Sequence, residues 1–185
     1  MLTLWDLLKP IAGKLVPRRA EPVTPVVRER AKAKTRPRVI GSKPGVRTGA
    51  MQARYDAMVA ELLEAHGIKI RKWRKNMSGI ARQTTFTDGR VLRTLESPRP
   101  TGPMSAAIFL HEVGHHVIGF NVYKPRCLEE YHAWAYAIRE LKARGFTVTE
   151  GVQTRMNKSL KYAVAKARRR GLREVPEELR PYWDE

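Results

Sequence analysis

One short pattern of histidine and glutamate constrains the fold of this chain more than any other feature. Residues 111–115 read His-Glu-Val-Gly-His, an H-E-x-x-H motif, and lie within residues 103–119, which are predicted to form a helix. Residues four apart on a helix lie one turn apart on the same face, so both imidazoles can reach one metal ion. The apolar residues 106–110 indicate a buried helix. The alternative is a histidine pair that only packs in a core.

A catalytic zinc site uses three protein ligands and leaves a fourth position open. The next predicted helix offers Glu129, Glu130 and His132 as the third ligand. Glu130 is preferred because it shares the apolar face with Ala133, where a lone buried carboxylate would be costly. Glu129 is turned about 100° away, toward Tyr136 and solvent, and ranks second; His132 ranks third. Either glutamate could instead only stabilise the helix N-terminus.

The motif also contains a candidate base. Glu112 lies near the face of the two histidines and can contact a metal-bound water, whose pKa zinc lowers toward ~7. His116 points about 100° away and is interpreted as structural or as a partner of a ligand. Candidates for stabilising a transition state are Tyr123, Arg126, Tyr131 and His132, among which the sequence does not choose. Cys127 is expected to be buried and inert.

Residues 90–143 resemble the zincin metallopeptidases of the glutamate-ligand (gluzincin) type. Within that group they resemble the ImmA/IrrE-like and related minimal phage or bacterial metallopeptidase domains, whose motifs read like HELGH followed by E-x-x-A-x-x-x-A. The resemblance implies that His111, His115 and Glu130 bind Zn²⁺ and that Glu112 is the catalytic base. The chain departs from the gluzincin pattern at Trp134, a position at which many gluzincins carry Asp. Those families place a substrate-pairing edge strand before the histidine helix, which would here be Arg90, Val91, Leu92, Arg93, Thr94, Leu95 and Glu96.

The remaining patterns predict an α+β fold, a minimal zincin with a small antiparallel sheet of about three strands. An apolar stripe predicts a helix that stops at Gly67. Residues 68–74 alternate apolar and basic side chains, which is typical of a strand. Residues 80–87 and 90–96 flank Asp88-Gly89, a strong hairpin signal because both central positions of such a turn need positive φ. The histidine helix and a glutamate-bearing helix at about 128–143 follow.

Charge divides the chain into segments. The net charge is +18, from 36 Lys and Arg against 18 Asp and Glu, and residues 17–50 hold ten basic and two acidic residues. The predicted organisation is a short amphipathic segment (1–16), a disordered basic Pro-rich linker (17–49), a zincin-like domain (50–150) and a basic C-terminal helix with a polar tail (151–185). The basic flanks could bind nucleic acid or anionic surfaces weakly, or only keep the chain soluble.

Two classes of function follow. The first is a zinc-dependent endopeptidase that hydrolyses a polypeptide with Glu112 as general base. The alternative is a nucleic-acid-associated protein that binds through its flanks, with a structural zinc site or with DNA-bound proteins as substrates. A degenerate zincin is disfavoured because Glu112 is intact. A single cysteine excludes a disulfide scaffold and a Cys₄ zinc site, and the absence of a ~20-residue apolar run excludes a membrane span. We expect a cytoplasmic protein.

Overall fold

The computed structural model describes residues 45–183 and confirms the α+β class. Its elements are α1 (Gly45–His66), β1 (Ile68–Arg74), β2 (Ile80–Thr85), β3 (Val91–Pro98), α2 (Pro103–Ile118), α3 (Arg126–Ala143), α4 (Glu150–Arg169) and a 3₁₀-helix (Glu177–Tyr182). The predictions for residues 1–16 and for most of the linker lie outside the described residues. Helix α1 already begins within the segment predicted as linker, and Gly67 ends it with φ 61°.

The three strands form a mixed sheet in the order β1-β3-β2. β2 and β3 pair antiparallel, from Ile80 opposite Glu96 to Thr85 opposite Val91, as the hairpin pattern predicts. β1 pairs parallel with the other edge of β3. The prediction of a wholly antiparallel sheet is therefore wrong for β1. The central position goes to β3, the most buried of the three strands, whose residues 95–98 are all buried.

The hairpin turn differs in type from the predicted one. Gly89 has φ 81°, whereas Asp88 keeps negative φ. The N–H of Gly89 donates to the carbonyl of Phe86 at 3.0 Å, and the N–H of Phe86 donates to the carbonyl of Arg90 at 2.9 Å. The Asp88 carboxylate accepts the N–H of Arg90 at 3.0 Å. The predicted turn has two residues with positive φ. The observed loop is longer and has positive φ only at Gly89.

Helix α2 is the centre of the fold. It begins at Pro103, whose missing N–H costs nothing in the first turn, and residues 105–116 are all buried. The oxygen of Ser105 accepts the N–H groups of Thr101 and Gly102 at 3.0 and 3.2 Å, which satisfies two donors at the helix start. Strands β2 and β3 and helices α1, α3 and α4 all contact α2. A helix covered on every side can hold a dry polar site.

The C-terminal part of the described chain packs into the same core. Val152, Leu160 and Val164 on α4 are buried, and so is Leu179 in the 3₁₀-helix that follows. These residues belong to one cluster with the apolar residues of α1, α2 and α3. The segment that the sequence describes as a basic helix and polar tail therefore also stabilises the metal-motif helix.

Candidate metal centre

Helices α2 and α3 bring three metal-binding side chains together. One ligand atom each from His111, His115 and Glu130 lies within 4.8 Å of the others. The Glu130 Oε2 atom is 3.4 Å from Nε2 of His111 and 3.7 Å from Nε2 of His115. Ligand atoms around a tetrahedral ion with bonds of about 2.1 Å lie about 3.4 Å apart. The two distances to Glu130 are close to this value, and the chain thus carries a His-His-Glu group that could hold a metal ion.

Small residues let the two helices approach closely enough to form this group. A Cβ atom on Gly114 would lie 2.9 Å from the carbonyl oxygen and 3.2 Å from the Cα of Ala133. Ala133 and Ala137 are fully buried, as expected for a face that packs against the histidine helix. A glycine inside a helix costs about 1 kcal/mol relative to alanine. Gly114 is therefore explained by the close crossing of α2 and α3, a role the sequence interpretation missed.

Glu129 occupies a different place from the predicted one. It is only 1% exposed, so the prediction that it turns toward solvent is wrong. Its Oε1 lies 3.2 Å from Nδ1 of His115, although the ring N–H is not aligned for a hydrogen bond, and its Oε2 accepts the N–H of Asn121 at 2.8 Å. Glu129 is buried because it shares a face of α3 with Tyr136, whose ring is itself in the core. Glu129 backs the His115 ring on the side away from Glu130.

Besides Glu130, His111 has an aromatic neighbour. Its ring lies against Trp134, with centroids 4.5 Å apart. Trp134 is the position at which the sequence departs from the gluzincin pattern, and here it fills the space beside the ligand. The two histidines are thus held differently, one by an indole ring and the other by the Glu129 carboxylate.

Burial and mutual contact set the charge states of the three residues. Burial lowers the pKa of His111, which favours the neutral imidazole that binds a metal ion. Burial raises the pKa of Glu130, but its contacts with His111 and His115 outweigh this effect, so its pKa is lowered and the carboxylate is ionised. Burial also lowers the pKa of His115, yet Glu130 beside it raises the pKa above its ordinary value.

Glu112 is buried beside this group but does not belong to it. Burial raises the pKa of its carboxyl to about 7, opposed by the nearby His115 and reinforced by Glu130. The backbone N–H of Ala81 on β2 donates to the carboxylate. A Cβ atom on Gly79 would lie 2.6 Å from the carboxyl carbon of Glu112. Glu112 therefore sits between α2 and the start of β2, in a space that only a glycine at position 79 leaves open.

The loop that carries Gly79 is held by two arginines. Arg74 donates to the Ser78 oxygen at 2.8 Å and to the Glu96 carboxylate of β3 at 3.1 Å. Arg155 on α4 donates to the Met77 carbonyl at 3.2 Å. These contacts tie residues 75–79 to the sheet and to α4. Neither the arginines nor Gly79 was singled out for this role from the sequence, because no local pattern relates them to Glu112.

The other singled-out residues lie apart from the three ligand atoms. Nε2 of His116 is 3.2 Å from the Thr94 carbonyl oxygen on β3, and burial lowers its pKa to about 4, so it attaches α2 to the sheet as a neutral ring. The ring of His132 lies against that of Tyr123, with centroids 3.9 Å apart and planes inclined by 30°. Tyr131 lines a separate groove together with Tyr182.

The prediction that residues 90–96 form an edge strand is wrong. Residues 91–96 pair with β2 and residues 93–98 pair with β1, so β3 has a hydrogen-bonded neighbour on both sides. Residues 93–96 are therefore paired on both sides and offer no free backbone edge to a polypeptide. Within residues 45–183, the free edge nearest Glu112 belongs to β2.

Comparison with known proteins does not assign the chain to a family. No model of a protein family, no curated protein and no solved structure matches it. Within residues 45–183, no helix combines the length and apolar composition that crossing a bilayer requires. The class that the geometry defines is a protein with a His-His-Glu group that could hold a metal ion, next to the buried carboxyl group of Glu112.

Proposed function

We propose that this chain is a zinc-dependent endopeptidase of the gluzincin type. The observation that carries the proposal is the convergence of His111, His115 and Glu130 within 4.8 Å of one another, with Glu112 close to His115 and Glu130. Zinc at this position would polarise the scissile carbonyl and acidify a water molecule. Two imidazoles and one carboxylate leave the fourth position open for that chemistry.

Each side chain of the site has a role in this proposal. Glu112 accepts a proton from the attacking water and returns it to the leaving amine, as a general base does within hydrogen-bond reach. Glu129 and Trp134 hold the rings of His115 and His111 in place. Orienting partners of this kind commonly change metal affinity when they are removed.

The substrate in this proposal pairs with the free edge of β2. An extended peptide adds to an exposed sheet edge through main-chain hydrogen bonds. β2 has β3 on one side and no other strand among the described residues on the other. Ala81 on β2 and Gly79 just before the strand adjoin Glu112, which brings a paired peptide next to the base. This places the substrate strand one strand away from the predicted residues 90–96.

The proposal is tested by metal dependence. The purified chain should contain about one zinc ion, cleave an unfolded polypeptide, lose that activity with a chelator and regain it when zinc is restored. Zinc content is measured by elemental mass spectrometry, and the cleaved bonds are identified by peptide mass spectrometry. Cleavage that persists after complete zinc removal contradicts the proposal, as does a zinc-loaded protein that cleaves no peptide bond.

Gly79→Ala should reduce peptide cleavage. The added methyl would overlap the Glu112 side chain, and the flexible carboxylate would move away from its position. The ligands are untouched, so zinc content should stay the same. Gly151→Ala on α4 is the matched control, because its new methyl would meet Met104 only at an ordinary contact distance of 3.7 Å. Equal kcat/KM for both variants would show that Gly79 does not position Glu112.

A further inference from the structure

A cavity adjoins the third member of the metal-binding group. It has a volume of about 570 Å³ and lies between the start of α3 and the second half of α4. This volume is within the range of small-ligand sites. Glu130 lines the cavity, so the cavity extends up to the metal-binding group. A substrate bound at the metal centre can therefore place a neighbouring group in it.

Basic side chains surround the cavity. The lining includes Arg126 on α3, Lys166 in the last turn of α4 and Arg170, which directly follows that helix. The acidic lining residue is Glu130, whose carboxylate faces the two histidines. Among residues 45–183 none of the three cations has an acidic partner within ion-pair distance. Three like charges around one cavity repel one another, and a bound anion relieves that repulsion.

The cavity is also partly apolar. Ala163 and Ala167 have short side chains that leave the space open beside α4, and Cys127 and Leu172 contribute apolar surface. An apolar lining with a few convergent cations suits a group that has a short apolar stem and an anionic end. A carboxylate of a peptide has this chemistry.

We propose that this cavity binds a carboxylate of the substrate peptide close to the bond that is cleaved. The inference rests on the proposed peptidase function and specifies its substrate class. The carboxylate can come from an Asp or Glu side chain or from the C-terminus of the peptide, because both present the same group to Arg126, Lys166 and Arg170.

The test uses a matched set of four peptides. Each peptide carries either Glu or Gln at one position near the cleaved bond and ends in either a free or an amidated C-terminus. Affinities are measured on Glu112→Gln protein by fluorescence anisotropy, and kcat/KM is measured on the parent. We expect carboxylate-bearing peptides to bind about tenfold more tightly, as for a charge-assisted hydrogen bond. Tighter binding of the Glu peptides than of the Gln peptides, with either terminus, identifies the side chain. Tighter binding of the free than of the amidated peptides, with either residue, identifies the C-terminus.

Charge reversal locates the preference in the cavity. Lys166→Glu should abolish the tenfold difference, whereas Lys158→Glu, an equal change at an exposed α4 position outside the cavity, should preserve it. Equal affinity of Glu112→Gln protein for all four peptides would overturn the inference. Selective binding that Lys166→Glu removes, together with no cleavage of any peptide by the parent, would support the carboxylate site and contradict the peptidase function.

Discussion

Glu112→Gln should lower kcat/KM for peptide cleavage by about 10²–10⁴-fold, the usual contribution of a general base. Glutamine keeps the size of the side chain and can still accept the N–H of Ala81, but it cannot take a proton from water. The three ligand atoms do not include Glu112, so zinc should remain at about one per chain. The measurements are peptide cleavage kinetics and zinc content on the same preparations.

Glu64→Gln is the matched control for this change. Glu64 is an exposed residue of α1, and we expect its substitution to leave both activity and zinc content at the parent level. Parent-like activity of Glu112→Gln would exclude Glu112 as the base. Loss of zinc from Glu112→Gln would instead mean that Glu112 holds the metal centre together.

Glu130→Ala should weaken zinc binding by more than about 100-fold. Removing a partner that only orients a ligand typically costs 10–100-fold in metal affinity, and removing a ligand costs more. Glu129→Ala should fall within that 10–100-fold range, because Glu129 lies 3.2 Å from Nδ1 of His115. A Glu129 that faced solvent would instead have only a small effect on zinc affinity when it is replaced. Zinc affinity is measured by competition with a chromogenic chelator.

Two further variants sharpen this comparison. Glu129→Gln keeps an acceptor for the N–H of Asn121 but removes the negative charge beside His115. Its zinc affinity therefore distinguishes the effect of the hydrogen bond to Asn121 from the effect of the charge. His132→Ala should bind zinc like the parent, since the ring of His132 lies against that of Tyr123. Parent-like affinity of Glu130→Ala, or a large loss in His132→Ala, would overturn the ligand assignment and the gluzincin comparison with it.

Local patterns predicted the helices well because their signals are contained in a few neighbouring residues. Pro103 and Gly119 bound α2, and Gly67 ends α1 at a positive φ. The choice of Glu130 also rested on local geometry, since its spacing to Ala133 and Ala137 places it on the face that packs against α2. The hairpin β2-β3 was predicted for the same reason, although its turn uses Gly89 alone in the left-handed region.

The sequence by itself determined which side chains share a helix face, because 3.6 residues per turn fixes their relative directions. It thereby determined the histidine pair and the glutamate that faces it. Only the tertiary structure decided what each face meets. Glu129 is buried because Tyr136 points into the core, β3 is central because β1 pairs parallel with its far edge, and Gly79 adjoins Glu112 because Arg74 and Arg155 hold its loop. These contacts join residues far apart in the chain, and no local spacing encodes them.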